Sequence, residues 1–313
     1  MRVIPDDATL AAGLTAVLAT DVTVLARRAN IYTSTYPTEM VSCRTAEGRD
    51  LALFCKYGPR RITDGHGHRN GFSYEAFVHR AVLHRNGGGP PRYHGSFPFA
   101  ESSLALVFDE LIGAARATWA PRNRGVYLTA AWLGRFHATH TFDDGAAPPH
   151  ALRRYSLAYY LGWAQRTQQF AGRAGARLCW LTQLCDRFPA LADILVTAPQ
   201  CLIHGEFYPH NILMCDGAVR PVDWETAAIG PGEIDLATLT EGWPESVATR
   251  CAAVYAHARW RGRPPVEFAE RLFAARVYLH LRWLGDTPEW EEVERASGRW
   301  TDFARLVNGR PLA

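Results

Sequence analysis

CLIHGEFYPHNILMCDGAVRPVDWETAAIGPGEIDLA, residues 201–237, decides how the rest of the chain reads. An apolar start leads into His204-Gly205-Glu206, then four residues, then Asn211. Ile212 to Met214 reads as a short strand, Asp216-Gly217 as a turn pair, and Val219 to Val222 as the returning strand that delivers Asp223-Trp224-Glu225. A hairpin sets its two strand ends side by side. Asn211 opens one strand and Asp223 closes the other, so an amide oxygen and a carboxylate converge on one point, with Glu206 just upstream. Such a donor set suits a hard cation, magnesium in particular, which keeps water and completes its shell with phosphate oxygens.

Upstream, the pattern is strand-rich. In VSCRTAEGRDLALFCKYG, the apolar segments 41–45 and 51–57 flank a turn at Glu47-Gly48, a hairpin signal that puts Lys56 near the end of the second strand. Lys56 is the only lysine among 34 basic residues, all the others being arginine. Arginine is a wide planar fork and lysine a compact point charge, so a lysine kept against that bias is a candidate for chemistry. GFSYEAFVHRAVLHRNGGGPP then reads as a helix with Ser73 as N-cap, Glu75 in its first turn, and glycines and prolines as its stop. Two strand-like segments follow, PRYHGSF and SLALVFDELIG.

Beyond about Gly113 the periodicity becomes helical, in VYLTAAWLGRFHATH, YSLAYYLGWAQRTQQF and FAERLFAARVYLHLRWL. In the last of these Phe268, Leu272, Ala275, Leu279 and Trp283 fall on one face. The expectation is an α+β chain with a strand-rich lobe over 1–110 and a helical lobe over 111–313, joined through the apolar run 107–111.

The composition fits this reading. The 313 residues are 48% hydrophobic and 21% charged, as in ordinary globular proteins, and their number suggests about two domains. A net charge of +3 gives no footprint for nucleic acid. Seven scattered cysteines without a C-x-x-C pair speak against a disulfide framework or a structural zinc. Asp6 and Asp7 make the N-terminus a poor signal peptide, and no apolar run is long enough for a membrane span. A cytoplasmic setting without membrane or nucleic-acid partners is therefore expected.

At these residues the chain resembles the aminoglycoside phosphotransferase family, relatives of choline kinases with a bilobal protein-kinase-like fold: a small antiparallel-sheet N-lobe and a larger helical C-lobe. The family's H-G-D-x-x-x-x-N motif, its I-D-W/F-E/D segment and a later Asp-Leu-Ala match His204-Gly205-Glu206, Asn211, Val222-Asp223-Trp224-Glu225 and Asp235-Leu236-Ala237. Upstream, a strand lysine, a helix glutamate and an apolar strand entering a hinge come in the same order. The resemblance implies a small-molecule kinase that moves the γ-phosphoryl of ATP or GTP to an acceptor hydroxyl. Lys56 would touch the α- and β-phosphates and pair with Glu75, Asn211 and Asp223 would hold Mg²⁺, and Glu206 would be the base. The backbone of Phe108, Asp109, Glu110 and Leu111 would meet the adenine edge. Glu225 either joins the metal or orients the loop, His204 braces the loop, and Asp235 ties it to the helical lobe.

Two departures stand out. Glu206 replaces the usual aspartate and reaches about 1.5 Å further. RRANIYTSTYPTEM, where a glycine-rich phosphate loop is expected, contains no glycine, leaving the hydroxyls of Ser34 and Thr35, with Thr33, as substitute donors. These departures motivate an alternative, a non-catalytic nucleotide-binding protein on the same scaffold. The acceptor is less legible. From Glu233 onward there are 12 acidic and 11 basic residues, and PEWEEVE (288–294) is the only acidic cluster, so a polycationic acceptor is not the default. His66 and His68, in a glycine-rich loop, are expected to be solvated.

Overall fold

The computed structural model describes residues 4–30, 35–62, 66–83, 89–142, 151–174, 179–286 and 299–308. By its contacts the chain forms two compact units, Met1–Pro121 with Pro209–Ala227, and Arg122–Tyr208 with Ala228–Ala313.

The first unit is built on a five-stranded antiparallel sheet in the order β1-β2-β3-β5-β4. Its strands are β1 (Val22–Ala29), β2 (Thr38–Thr45), β3 (Asp50–Pro59), β4 (Tyr93–Ala100) and β5 (Ser103–Asp109). The expected hairpin is β2–β3, and the second apolar segment of 93–109 is β5. Alternation along the strands sorts the two faces. Val41, Cys43, Leu53, Cys55, Tyr57, Ala105 and Val107 pack with Leu10 and Leu14 of helix α1 (Asp7–Leu18), which sequence reading had passed over. Asp6 caps that helix by accepting the Thr9 amide at 2.8 Å. Burying Leu10 and Leu14 completely stabilises by about 1.5–3 kcal/mol each. Gly13 lets α1 lie close, since a Cβ there would come within 2.3 Å of the Phe97 ring.

The other face packs Leu104, Leu106, Phe108 and Phe54 against helix α2 (Phe72–Val78), which continues as a π-helical turn over His79–Leu83. Ser73 is not its N-cap. Gly71 holds that position at φ +79°, where a Cβ would meet the Arg61 backbone at 2.8 Å, and no side chain caps the helix. His68 is buried, not solvated as expected. A smaller sheet joins β6 (Ala115–Arg116) and the hairpin β8 (Ile212–Cys215) and β9 (Ala218–Pro221), while β7 (Gln200–Ile203) belongs to the second unit. Asp216 and Gly217 both take positive φ, as a two-residue type I′ turn requires.

The second unit holds α3 (Arg124–Thr139), α4 (Leu157–Ala174), α5 (Cys179–Thr197), α6 (Glu233–Thr240), α7 (Glu245–Trp260), α8 (Phe268–Asp286) and α9 (Arg299–Asn308). Among its described residues β7 (Gln200–Ile203) pairs with β10 (Ala228–Pro231). The single apolar stripe expected for α8 underestimates it. This helix packs on α4, α5, α6 and α9, so it is buried nearly all round, including His280 and Arg282. No described helix is long and apolar enough to cross a membrane.

Candidate active site

The first unit assembles a charged cluster. The alternation that sends Leu53, Cys55 and Tyr57 to the α1 side turns Lys56 towards α2. Its ammonium lies over the Phe72 ring at 4.8 Å from the centroid. It donates to Glu75 Oε2 at 2.8 Å and to Asp223 Oδ1 at 2.6 Å. Glu75, in the first turn of α2, is 1% exposed, whereas the Asp223 side chain is 38% exposed.

The β8–β9 hairpin delivers the remaining groups. Ile212 pairs with Pro221, and the Val222 amide donates to the Asn211 carbonyl at 2.9 Å, which sets Asn211 beside the residue preceding Asp223. Asp223 itself adopts φ +70°, a left-handed conformation that costs a non-glycine residue on the order of 1 kcal/mol or more. Fully buried Trp224 follows, its indole N–H bonded to the Pro221 carbonyl at 3.2 Å. Glu75, Asp223 and Glu225 each bring a carboxylate oxygen within 4.8 Å of the others. Sequence reading offers Glu75 as the partner of Lys56 or as a charge favoured at the helix start, not as a member of an acidic cluster.

With all three carboxylates ionised, one ammonium leaves this cluster two negative charges in excess. Burial pushes the Glu75 carboxyl up, Lys56 opposes that, and Asp223 adds to it. Burial would lower Lys56, but Asp223, Glu75 and Glu225 reverse the effect and hold it charged. A divalent cation bound by hard oxygens fits both the donor set and the charge deficit.

At the end of β5, Phe108 is buried against His79 and Tyr93. Asp109 Oδ1 lies 2.6 Å from His94 Nε2, and Glu110 pairs with Arg28 at 3.0 Å. The amides of Asp109 and Glu110 donate to Arg92 and Ala52 at 3.0 and 2.9 Å, while Leu111 follows partly exposed. Thr35 is exposed, and Thr33 and Ser34 lie outside the described residues.

The second unit carries the loop 204–208. The amides of His204 and Gly205 donate to the two carboxylate oxygens of Asp235 at 2.7 and 2.9 Å. Gly205 takes φ +84° there. The Glu206 amide donates to His204 Nδ1 at 3.3 Å, so His204 braces the loop. Asp235 is wholly buried and is steadied by His137 Nε2 at 3.3 Å. His137 Nδ1 lies 2.9 Å from the Tyr255 hydroxyl, which accepts from Arg259 at 2.6 Å. Burial pulls His137 down to about 4, the Asp235 bond only partly offsetting it, so the ring is neutral near pH 7. Glu206 projects from this clamped loop and pairs with Arg282 of α8 at 3.3 Å. Sequence reading missed His137, Tyr255, Arg259 and Arg282. The one signal was an arginine set inside the apolar run VYLHLRWL, a poor place for an unpaired charge.

Residues 81–269, more than half the chain, match the phosphotransferase enzyme family. The chain belongs to that family. It is a phosphotransferase. A search of the curated proteins finds none that matches. Among solved structures, the phosphotransferase is similar to macrolide 2'-phosphotransferase MphH from Brachybacterium faecium, with 20% identity, 97% of this chain and 99% of that one covered, and a TM-score of 0.58. It is similar to choline kinase LicA from Streptococcus pneumoniae, with 12% identity, 95% and 96% coverage and a TM-score of 0.60. A thermostable mutant of aminoglycoside phosphotransferase APH(4)-Ia, in ternary complex with AMP-PNP and hygromycin B, aligns at 17% identity over 91% and 95% of the chains, TM-score 0.60. These likenesses carry the fold, the protein-kinase-like α+β class expected from the sequence.

Proposed function

We propose that this phosphotransferase moves the γ-phosphoryl group of ATP or GTP to a hydroxyl of a small metabolite or antibiotic-like acceptor, with Mg²⁺ and with Glu206 as base. The observation that carries the reading is the Lys56 ammonium held between Glu75 and Asp223 at 2.8 and 2.6 Å. Phosphoryl transfer depends on positioning and charge neutralisation more than on covalent catalysis, and a fixed ammonium beside acidic oxygens serves both.

Lys56 would bind the α- and β-phosphates, with Glu75 holding its head group in place. The nucleobase would lie along Phe108, Asp109, Glu110 and Leu111. The Asp109 and Glu110 amides are bonded within the sheet, so the hinge amide assigned to the base is that of Leu111. Ser34 and Thr35 would offer hydroxyls to the phosphates in place of a glycine-rich backbone. Asn211, Asp223 and Glu225 would hold Mg²⁺, which supplies charge neutralisation at the transferred group. Glu206 would take the proton of the acceptor hydroxyl as its oxygen bonds to phosphorus and the nucleoside diphosphate departs, a step worth about 10²- to 10⁴-fold. A reducing, cytoplasmic setting suits the six described cysteines, all of them free and buried.

The test is a screen of hydroxylated compounds with Mg²⁺ and ATP or GTP, backed by thermal shift. A nucleoside triphosphate with Mg²⁺ should raise the Tm, and Lys56→Ala and Asp223→Ala should each lose transfer to the acceptor found. Full transfer by either variant ends this reading.

A further inference from the structure

Glu206 is longer than the aspartate of the motif it resembles, and its partner comes from a helix seventy-odd residues later. Arg282 Nη1 lies 3.3 Å from Glu206 Oε1. Its Nη2 donates to the Tyr208 hydroxyl at 2.5 Å, which also receives the Trp283 indole N–H at 2.5 Å. Arg282 is only 3% exposed, and its Nε has no hydrogen-bond partner. Burial opposes the guanidinium charge, but Tyr208 and Glu206 outweigh it and keep the group cationic.

We propose that Arg282 positions the Glu206 carboxylate and sets the charge class of the acceptor: a hydroxyl compound neutral or anionic beside its reacting group, not an amine or quaternary ammonium. The inference rests on the reading of Glu206 as base.

Three observations support it. A glutamate has one more rotatable bond than an aspartate, and a base displaced by about 1 Å can lose about 10²-fold in rate. An ion pair from a helix buried nearly all round fixes the longer side chain. Second, an amine-rich acceptor binds through carboxylates that lack a counter-ion, and Glu206 already has one. An ammonium brought to it would approach a buried guanidinium, and like charges at ~4 Å cost on the order of 10²-fold or more in affinity. Third, the Tyr208 and Trp283 rings stack at 6.1 Å and 16°, a pair that could begin an aromatic cage for a quaternary ammonium. Here, however, the Tyr208 hydroxyl is already bonded to the guanidinium, so a cation in such a cage would again meet Arg282.

The proposal is tested by binding spermidine, a polyamine probe, to the full chain with Mg²⁺ and AMP-PNP. Wild type should bind it weakly. Arg282→Gln, which removes the guanidinium from beside Glu206, should bind at least about ten-fold tighter. The gain should vanish in the Arg282→Gln, Glu206→Gln double variant, and Arg282→Lys, which keeps the charge, should behave as wild type. Arg282→Met replaces Arg282→Gln if the latter does not fold. Tight spermidine binding by wild type, no gain in the charge-removed variant, or a gain that survives loss of Glu206 each overturns the proposal. The readout needs no turnover, so its failure leaves the transferase reading standing. That reading fails separately, if nucleotide with Mg²⁺ neither binds nor is turned over.

Discussion

The ammonium of Lys56 lies 2.6 Å from Oδ1 of Asp223, a residue 167 positions further along the chain, while its second bond holds Glu75 at 2.8 Å. The two carboxylates differ sharply in exposure, at 38% for Asp223 and 1% for Glu75. That difference separates stability from activity in variants of the cluster.

Asp223→Asn removes a charge that water already solvates in part, so urea denaturation should show a loss of no more than about 1 kcal/mol. Phosphoryl transfer should nonetheless fall by at least ~10²-fold, if the carboxylate binds the metal. Lys56→Met should do both kinds of damage. It leaves Glu75 buried without its cation, at a cost of roughly 3–5 kcal/mol, and it abolishes transfer. A Lys56→Met protein as stable as wild type would contradict the structural role given to the pair.

Asp235 accepts two loop amides, one on each oxygen. Asp235→Asn turns one oxygen into a donor that faces an amide N–H, leaving a buried pair of donors opposed. The expected result is about 2–4 kcal/mol of lost stability and a fall in kcat through Glu206, with the Kd for nucleotide little changed. Steady-state kinetics beside nucleotide titration separates the two.

His137 is neutral in the fold, its value lowered by burial to about 4, against about 6.5 when unfolded. Between those values the unfolded chain binds a proton that the folded chain does not. Stability from this group is therefore intact above about pH 6.5 and is lost as pH falls towards 4, by up to about 3 kcal/mol. Urea midpoints measured from pH 7 to pH 4.5 should show the decline, and a folded His137→Gln protein should show a flatter one.

Gly13 sits inside α1, where alanine ordinarily gains about 0.5–1 kcal/mol over glycine. Here the added methyl would fall 2.3 Å from the Phe97 ring, which is itself buried against the sheet. Gly13→Ala should lower stability by about 1–3 kcal/mol, seen as a lower Tm.

Much of this was written locally. The Asp216-Gly217 turn and its flanking apolar residues specify the β8–β9 hairpin, because two-residue turns with positive φ admit few other residues. The β2–β3 hairpin and the placing of Lys56 near its end follow from period-2 alternation. Local pattern failed where burial overrode it. Ser73 looks like a cap, but Gly71 takes that place because the chain must turn tightly past Arg61. The α8 pattern shows one stripe, yet neighbours on several sides bury the helix nearly all round.

By itself, then, the order of residues named the motif: one lysine on a strand, an amide and a carboxylate at the two ends of a hairpin, and a glutamate on the loop before them. Only the tertiary structure decided which distant groups complete these. Glu75 joined the acidic cluster, His137, Tyr255 and Arg259 lined up behind Asp235, and Arg282 met Glu206. The reason is physical. Turns and alternation are set by neighbours along the chain, whereas the partner of a buried charge is set by how helices from separate stretches pack. Helical periodicity gives the face a residue lies on and says nothing of which other helix will cover it.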